Sequence, residues 1–146
     1  MKFRDLDPQV LVADSPMTGP DMADAAARGV ILVVNNRPDH EETGQWNSAG
    51  LEEAARAAGM DYVHIPIASQ FSEDKVAALT EALLGAEGRV LIFCRSGTRA
   101  TYLWALAQAK AGETPEALDR SARRAGYSLG PLMPFLKPGG DEAASS

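Results

Sequence analysis

Val90-Leu91-Ile92-Phe93-Cys94-Arg95-Ser96-Gly97-Thr98-Arg99 is the stretch on which the fold turns. Four apolar residues run without a polar break, which fits a strand covered on both faces, as in a parallel sheet. The strand runs straight into Cys94 and a short loop holding Gly97 and two arginines, and a helix over Arg99 to Ala111 follows. A loop between a buried strand and a helix N-terminus gathers backbone N–H groups onto one point and so favours an anion there. Gly97 can take backbone angles closed to other residues. Arg99 adds a planar fork of donors suited to a tetrahedral oxyanion. A positive field of this kind favours thiolate over thiol, and Cys94 is therefore read as a nucleophile. Arg95, Ser96, Gly97 and Thr98 form the anion-binding loop, with Ser96 and Thr98 contributing mainly backbone N–H groups.

Outward from this segment, strands alternate with helices. Val10 to Ala13 reads as an edge strand, and Thr18 can cap a helix over Gly19 to Arg28. Val30 to Val34 is a second buried-type strand, ending in the loop Asn35-Asn36-Arg37-Pro38-Asp39-His40. Asn47 or Ser48 opens a helix that Gly59 closes. Tyr62 to Ile67 is a strand, and Ser72 caps a helix with Val76, Leu79, Leu83 and Leu84 on one face. Thr114-Pro115-Glu116 starts another helix, and Pro131 to Leu136 is one more short turn. The alternation predicts a single α/β domain over residues 1–136, with a mainly parallel central sheet flanked by helices. The tail over residues 137–146 is expected to be disordered. In such sheets ligands bind beyond the carboxyl ends of the strands, which singles out two loops, Asn35 to Glu42 and Cys94 to Arg99.

Composition agrees with a globular domain and narrows its partners. Of 146 residues, 45% are hydrophobic and 23% charged, which permits a sizeable core. The net charge of -6 argues against a nucleic-acid partner. The single cysteine excludes an internal disulfide and suits a reducing compartment. No apolar stretch approaches the roughly 20 residues of a membrane span, and no secretory leader is visible; the expected location is the cytoplasm. The two histidines and one cysteine have no ligand spacing, so neither a metal nor another cofactor is expected. Trp46 and Trp104 read as packing residues, and His64, inside a strand, as a core or partner-facing imidazole. The oligomeric state stays open.

Asn35-Asn36-Arg37-Pro38-Asp39, His64-Ile65-Pro66, and Cys94 to Arg99 followed by Leu103-Trp104-Ala105-Leu106 together resemble the phosphatase-like domain family first described beside beta-lactamase-hydrolase-like proteins. The resemblance spans about Leu6 to Leu136. It implies a cysteine-phosphatase-type fold related to the dual-specificity phosphatases. Some members of the family are assigned sulfur transfer, and some are fused to sulfur-metabolising domains.

Two chemistries compete for the loop. Cysteine phosphatases have His-Cys, five residues, Arg, then Ser or Thr, whereas rhodanese-type sulfurtransferases have Cys, four residues, then often Arg. Here four residues separate Cys94 from Arg99, Phe93 precedes the cysteine, and Ala100 follows the arginine. A phosphatase also wants a general acid, and the expected stretch, Ala68-Ser69-Gln70-Phe71, has no carboxylate. These departures favour sulfur transfer through a Cys94 persulfide, from thiosulfate or another persulfide to an external thiol. The alternatives are a phosphatase acting on a phosphate ester through a phospho-cysteine, with Asp39 the first candidate acid, and a non-catalytic anion-binding module. Arg37 is a secondary candidate for binding a dianion.

Overall fold

The computed structural model describes residues 2–136, so the tail expected to be disordered lies outside the described residues. In chain order the elements are β1 (Phe3–Asp5), β2 (Val10–Ala13), α1 (Asp21–Ala27), β3 (Val30–Asn35), α2 (Ser48–Ala57), β4 (Asp61–His64), α3 (Glu73–Gly85), β5 (Arg89–Phe93), α4 (Thr98–Lys110) and α5 (Pro115–Arg124). A 3₁₀ helix, Gly130–Phe135, closes the described chain.

The five strands form one sheet in the order β1-β2-β5-β3-β4. Only the β1–β2 pair is antiparallel; β2, β5, β3 and β4 run parallel. β5, the uninterrupted apolar run, is therefore the central strand. Each face of the sheet carries a helical layer. Val76 and Leu79 of α3, Leu103 and Trp104 of α4, and Leu118 and Ala122 of α5 pack on one side with Val10, Val12, Val90 and Ile92. Met22 and Ala25 of α1 and Leu51 and Ala55 of α2 pack on the other, with Leu11, Val33, Leu91 and Phe93. Alternate residues of β2 and β5 thus feed opposite cores, as the two-residue side-chain period requires. The expected α/β class with a mainly parallel sheet is what the chain adopts.

Several local expectations are corrected. Val10–Ala13 is not an edge strand: all four residues are buried and β1 lies outside it. Phe3-Arg4-Asp5 carries no apolar run, and its strand state comes from pairing alone. In β3, Ile31 is 39% exposed, so the covering on both faces fails there. The register with β5 shifts between Val30 and Leu32 and turns Ile31 out against Gly88. The strand expected over Tyr62 to Ile67 ends at His64, ahead of Pro66, which cannot donate to a ladder. α1 starts at Asp21 rather than Gly19 and has no side-chain cap; Asp21 Oδ2 instead accepts the Thr18 N–H (2.8 Å) and hydroxyl (2.9 Å) and ties the preceding turn to the helix. The N-caps of α2 and α5 match expectation: Asn47 Oδ1 accepts from Gly50 N–H, and Thr114 Oγ1 from Ala117 N–H.

Both tryptophans pack. Trp104 is buried and its Nε1 donates to Asp7 Oδ2 (2.9 Å). Trp46 is half exposed but lies over Gly19, where an added Cβ would stand 2.5 Å from its ring. Among the described residues, no helix is long and apolar enough to cross a membrane.

Candidate active site

Parallel strands of one sheet end on the same side, and three adjacent ones deliver the site. β5 ends in the Cys94 loop, β3 in the loop 36–47, and β4 in the segment 65–72. The sheet ladder persists past the strand ends: Asn36 N–H donates to Phe93 O (2.7 Å), and Ile65 and Ile67 N–H donate to Asn35 O and Asn36 O. This pins the three loops to one another at their roots.

Cys94 lies at the floor of this junction, 1% exposed. Gly97, three residues on, takes the left-handed conformation (φ 96°, ψ -10°) and is the N-cap of α4. That turn sends the Gly97 N–H back toward Cys94 Sγ, at 3.2 Å. A side chain at position 97 would be blocked as well as strained, since an added Cβ would stand 2.1 Å from Tyr127 Oη and 2.8 Å from Ala13 O. Tyr127 Oη donates to Ser96 O (2.8 Å) and so braces the outside of the loop. Burial, with Asp14 and Cys94 nearby, pushes its phenol up to about 12.

Arg99, in the first turn of α4, spans the mouth. Its guanidinium donates to Ile67 O (2.7 Å) and, through both terminal nitrogens, to the Glu41 carboxylate (2.6 and 3.0 Å). The Arg99 guanidinium holds Glu41 below the usual carboxylate range, and Glu41 in turn raises Arg99, with Cys94 close enough to add to the effect.

Arg37 lies on the same rim, as its place after β3 suggested, with its side chain 6% exposed. It donates to Glu41 Oε1 (3.0 Å) and Glu42 Oε1 (2.7 Å). Arg95 projects outward and pairs with Glu42 Oε2 (3.0 Å). Three arginines are thus interleaved with two glutamates of one loop. Neither glutamate was singled out from the sequence, although their loop was. The available signal was two adjacent acids one turn of chain beyond Arg37, opposite a loop with two arginines.

The other candidates have different surroundings. Asp39 Oδ1 accepts the Ser48 N–H at the start of α2 (2.7 Å), a structural bond. His64 Nε2 bonds to Arg37 O (2.9 Å) and helps hold that loop. Ser96 and Thr98 are exposed, and their hydroxyls face each other at 3.4 Å. Ala100 is buried. The Thr101 hydroxyl beyond it is buried with no partner among the described residues, so it does not replace a donor to Sγ.

Similarity to known proteins bears on this arrangement. Residues 2–111 match the family model described as beta-lactamase hydrolase-like protein, phosphatase-like domain. A beta-lactamase hydrolase-like protein of Xylella fastidiosa is 32% identical over 139 residues, covering 94% of this chain and 32% of the relative. The chain therefore spans about a third of the length of the curated relatives it matches. The crystal structure of a Neisseria meningitidis protein, provisionally described as a phosphatase, superposes with a TM-score of 0.83 at 28% identity, covering 93% of this chain and 96% of that one. The crystal structure of PTPMT1 in complex with PI(5)P shares the fold, with a TM-score of 0.74 at 15% identity and coverage of 99% and 98%.

Proposed function

The chain belongs to the phosphatase-like domain family of beta-lactamase hydrolase-like proteins, and from that premise we propose that it hydrolyses phosphate monoesters through a phospho-cysteine on Cys94. The observation that carries this reading is the cradle: a buried Cys94 Sγ faced by the Gly97 N–H at 3.2 Å, at the N-terminus of α4, with the Arg99 fork over the mouth. In this reading the loop amides from Arg95 to Arg99 and the Arg99 guanidinium hold the phosphoryl oxygens. The Cys94 thiolate attacks phosphorus, the P–O bond to the leaving group breaks, and water then releases inorganic phosphate. Fixed donors aimed at developing oxyanion charge supply much of the rate in such sites. Arg37 adds positive charge at the rim.

Sulfur transfer, preferred on loop length, gives way here. The proteins described above are phosphatase-like, and nothing in them supports a thiosulfate donor or an external thiol acceptor. The four-residue spacing and the missing hydroxyl at Ala100 are retained as features of a slower dephosphorylation step.

The test compares phosphate release from an aryl phosphate with sulfur transfer from thiosulfate to a small thiol, using one preparation with Cys94→Ser as the blank. Faster, Cys94-dependent phosphate release is the expected result. Faster sulfur transfer would overturn the reading, and two reactions indifferent to Cys94→Ser would leave a module that only binds anions.

A further inference from the structure

A phosphatase has to protonate the departing oxygen, and the segment after β4 brings no acid to the cradle, only Ala68, Ser69, Gln70 and Phe71. Asp39 Oδ1 is engaged by the Ser48 N–H at the start of α2. Glu73 and Asp74 sit exposed in the first turn of α3. Glu42 pairs with Arg37 and with the outward Arg95; the carboxylate seated in the Arg99 fork is Glu41. We propose that Glu41 is the general acid of this site, an assignment that rests on the phosphatase reading above.

The geometry makes the case in three steps. First, both Glu41 oxygens are seated in the Arg99 fork, at 2.6 and 3.0 Å. The same fork is matched to two oxygens of a bound phosphoryl group, so an arriving dianion takes the place of the carboxylate. Second, the displaced carboxylate stays nearby. Its loop is rooted by the sheet ladder at Asn36, and Arg37, buried at the rim, also holds Glu41 Oε1 at 3.0 Å. Cys94 is at the floor, so in an in-line displacement the ester oxygen leaves toward the mouth, which is where Glu41 is kept. Third, the exchange lets Glu41 take up a proton from solvent. Glu41 loses its Arg99 partner and gains a neighbouring dianion, and both changes favour the protonated acid.

The charged and titratable groups around Glu41 are Arg99 from α4, Arg37 and Glu42 from its own loop, Arg95 beyond Glu42, and Cys94 below. His64 of β4 reaches the Arg37 carbonyl. As the Sγ–P bond forms, the P–O bond breaks with its electron pair on the ester oxygen. That oxygen takes the Glu41 proton and leaves as an alcohol. In the second step a water attacks phosphorus, gives a proton to the Glu41 carboxylate, and inorganic phosphate departs with the Cys94 thiolate restored.

The test measures kcat/KM for phenyl phosphate and 2,4-dinitrophenyl phosphate in the wild type, Glu41→Gln and Glu41→Ala. Phenoxide needs the proton and dinitrophenoxide does not. Both variants should lower the phenyl-to-dinitrophenyl ratio by about a hundredfold. Partial misfolding scales both rates alike and leaves the ratio unmoved, so the ratio reads the acid alone. A Cys94-dependent activity whose ratio is unchanged in both variants overturns the assignment and leaves the phosphatase reading standing. Absence of Cys94-dependent release from even the dinitrophenyl ester in the wild type overturns both.

Discussion

Gly97→Ala is the sharpest probe of how the cradle is built. Position 97 has φ 96°, a conformation that costs a non-glycine residue about 1–3 kcal/mol. The new methyl would also meet Tyr127 Oη at 2.1 Å and Ala13 O at 2.8 Å. These obstacles differ. Tyr127 is the end of a side chain and can swing away, at the loss of its bond to Ser96 O, about 1 kcal/mol. Ala13 O belongs to the backbone of β2, which is paired on both sides and yields less easily. Overpacking of this kind typically adds about 1–3 kcal/mol. The substitution should therefore destabilise the domain by about 3–7 kcal/mol. Urea denaturation reads this as a midpoint lowered by roughly 1.5–3.5 M at a slope of about 2 kcal/mol/M. Hydrolysis should fall further than stability does, because the Gly97 N–H that faces Sγ moves with the turn. Combining the change with Tyr127→Ala in a double-mutant cycle should recover only the Tyr127 share. A Gly97→Ala protein within about 0.5 kcal/mol of the wild type, with its activity intact, would refute the close-packed turn.

Further outcomes follow from the same contacts. Arg99→Lys keeps the charge but loses the fork that reaches Ile67 O and the mouth, and should lower kcat/KM by about a hundredfold in a phosphate-release assay. Asp7→Ala removes the acceptor for Gln9 N–H, Val10 N–H and Trp104 Nε1, and should cost about 2–3 kcal/mol in thermal or urea unfolding with the active-site loop untouched. Tyr127, with Tyr62, sets the alkaline pH dependence: burial raises both phenols from the ordinary value of 10, that of Tyr127 to about 12. The Tyr127 contribution is therefore complete below pH 10 and is lost as pH rises toward 12. Unfolding measured across that window should show a decline that Tyr127→Phe reduces, with the remainder owed to Tyr62.

The sheet was readable because its central strands are continuous apolar runs, and α2 and α5 because they open on cap residues that signal themselves. β5 and α4 needed only their own residues. β1 did not: Phe3-Arg4-Asp5 is a strand because Ala13, Val12 and Leu11 offer a free edge to pair with, and no local pattern encodes a partner. Ile31 shows the converse. Its β-branched side chain reads as core, yet the register shift opposite Arg89 and Val90 turns it outward. Pairing partner and register are properties of two segments at once, and a single run of residues carries neither.

The candidate site divides along the same line. Cys94, Gly97 and Arg99 occupy one continuous segment and were legible together. Glu41 and Tyr127 reach the loop from positions far along the chain, and the Arg99 ion pair that brings Glu41 to the site exists only after β3 and β5 lie side by side. This also bears on the choice between sulfur and phosphate. Counting residues from Cys94 to Arg99 measures chain, whereas the room above Sγ depends on where the Arg99 guanidinium goes. It goes outward, to Ile67 O and Glu41, so the mouth is bounded by the loops after β4 and β3 and not by the loop that was counted. Glu41 itself is the movable wall. A ligand that offers two oxygens to the Arg99 fork, such as a phosphate ester or thiosulfate, replaces the Glu41 carboxylate in kind, whereas the outer sulfur of a persulfide offers the fork no such pair. The occupant that best matches the ion pair it must displace is an oxyanion, which thiosulfate and a phosphate monoester both are; under the proposed reading the ester alone also brings a leaving oxygen for a displaced Glu41 to protonate.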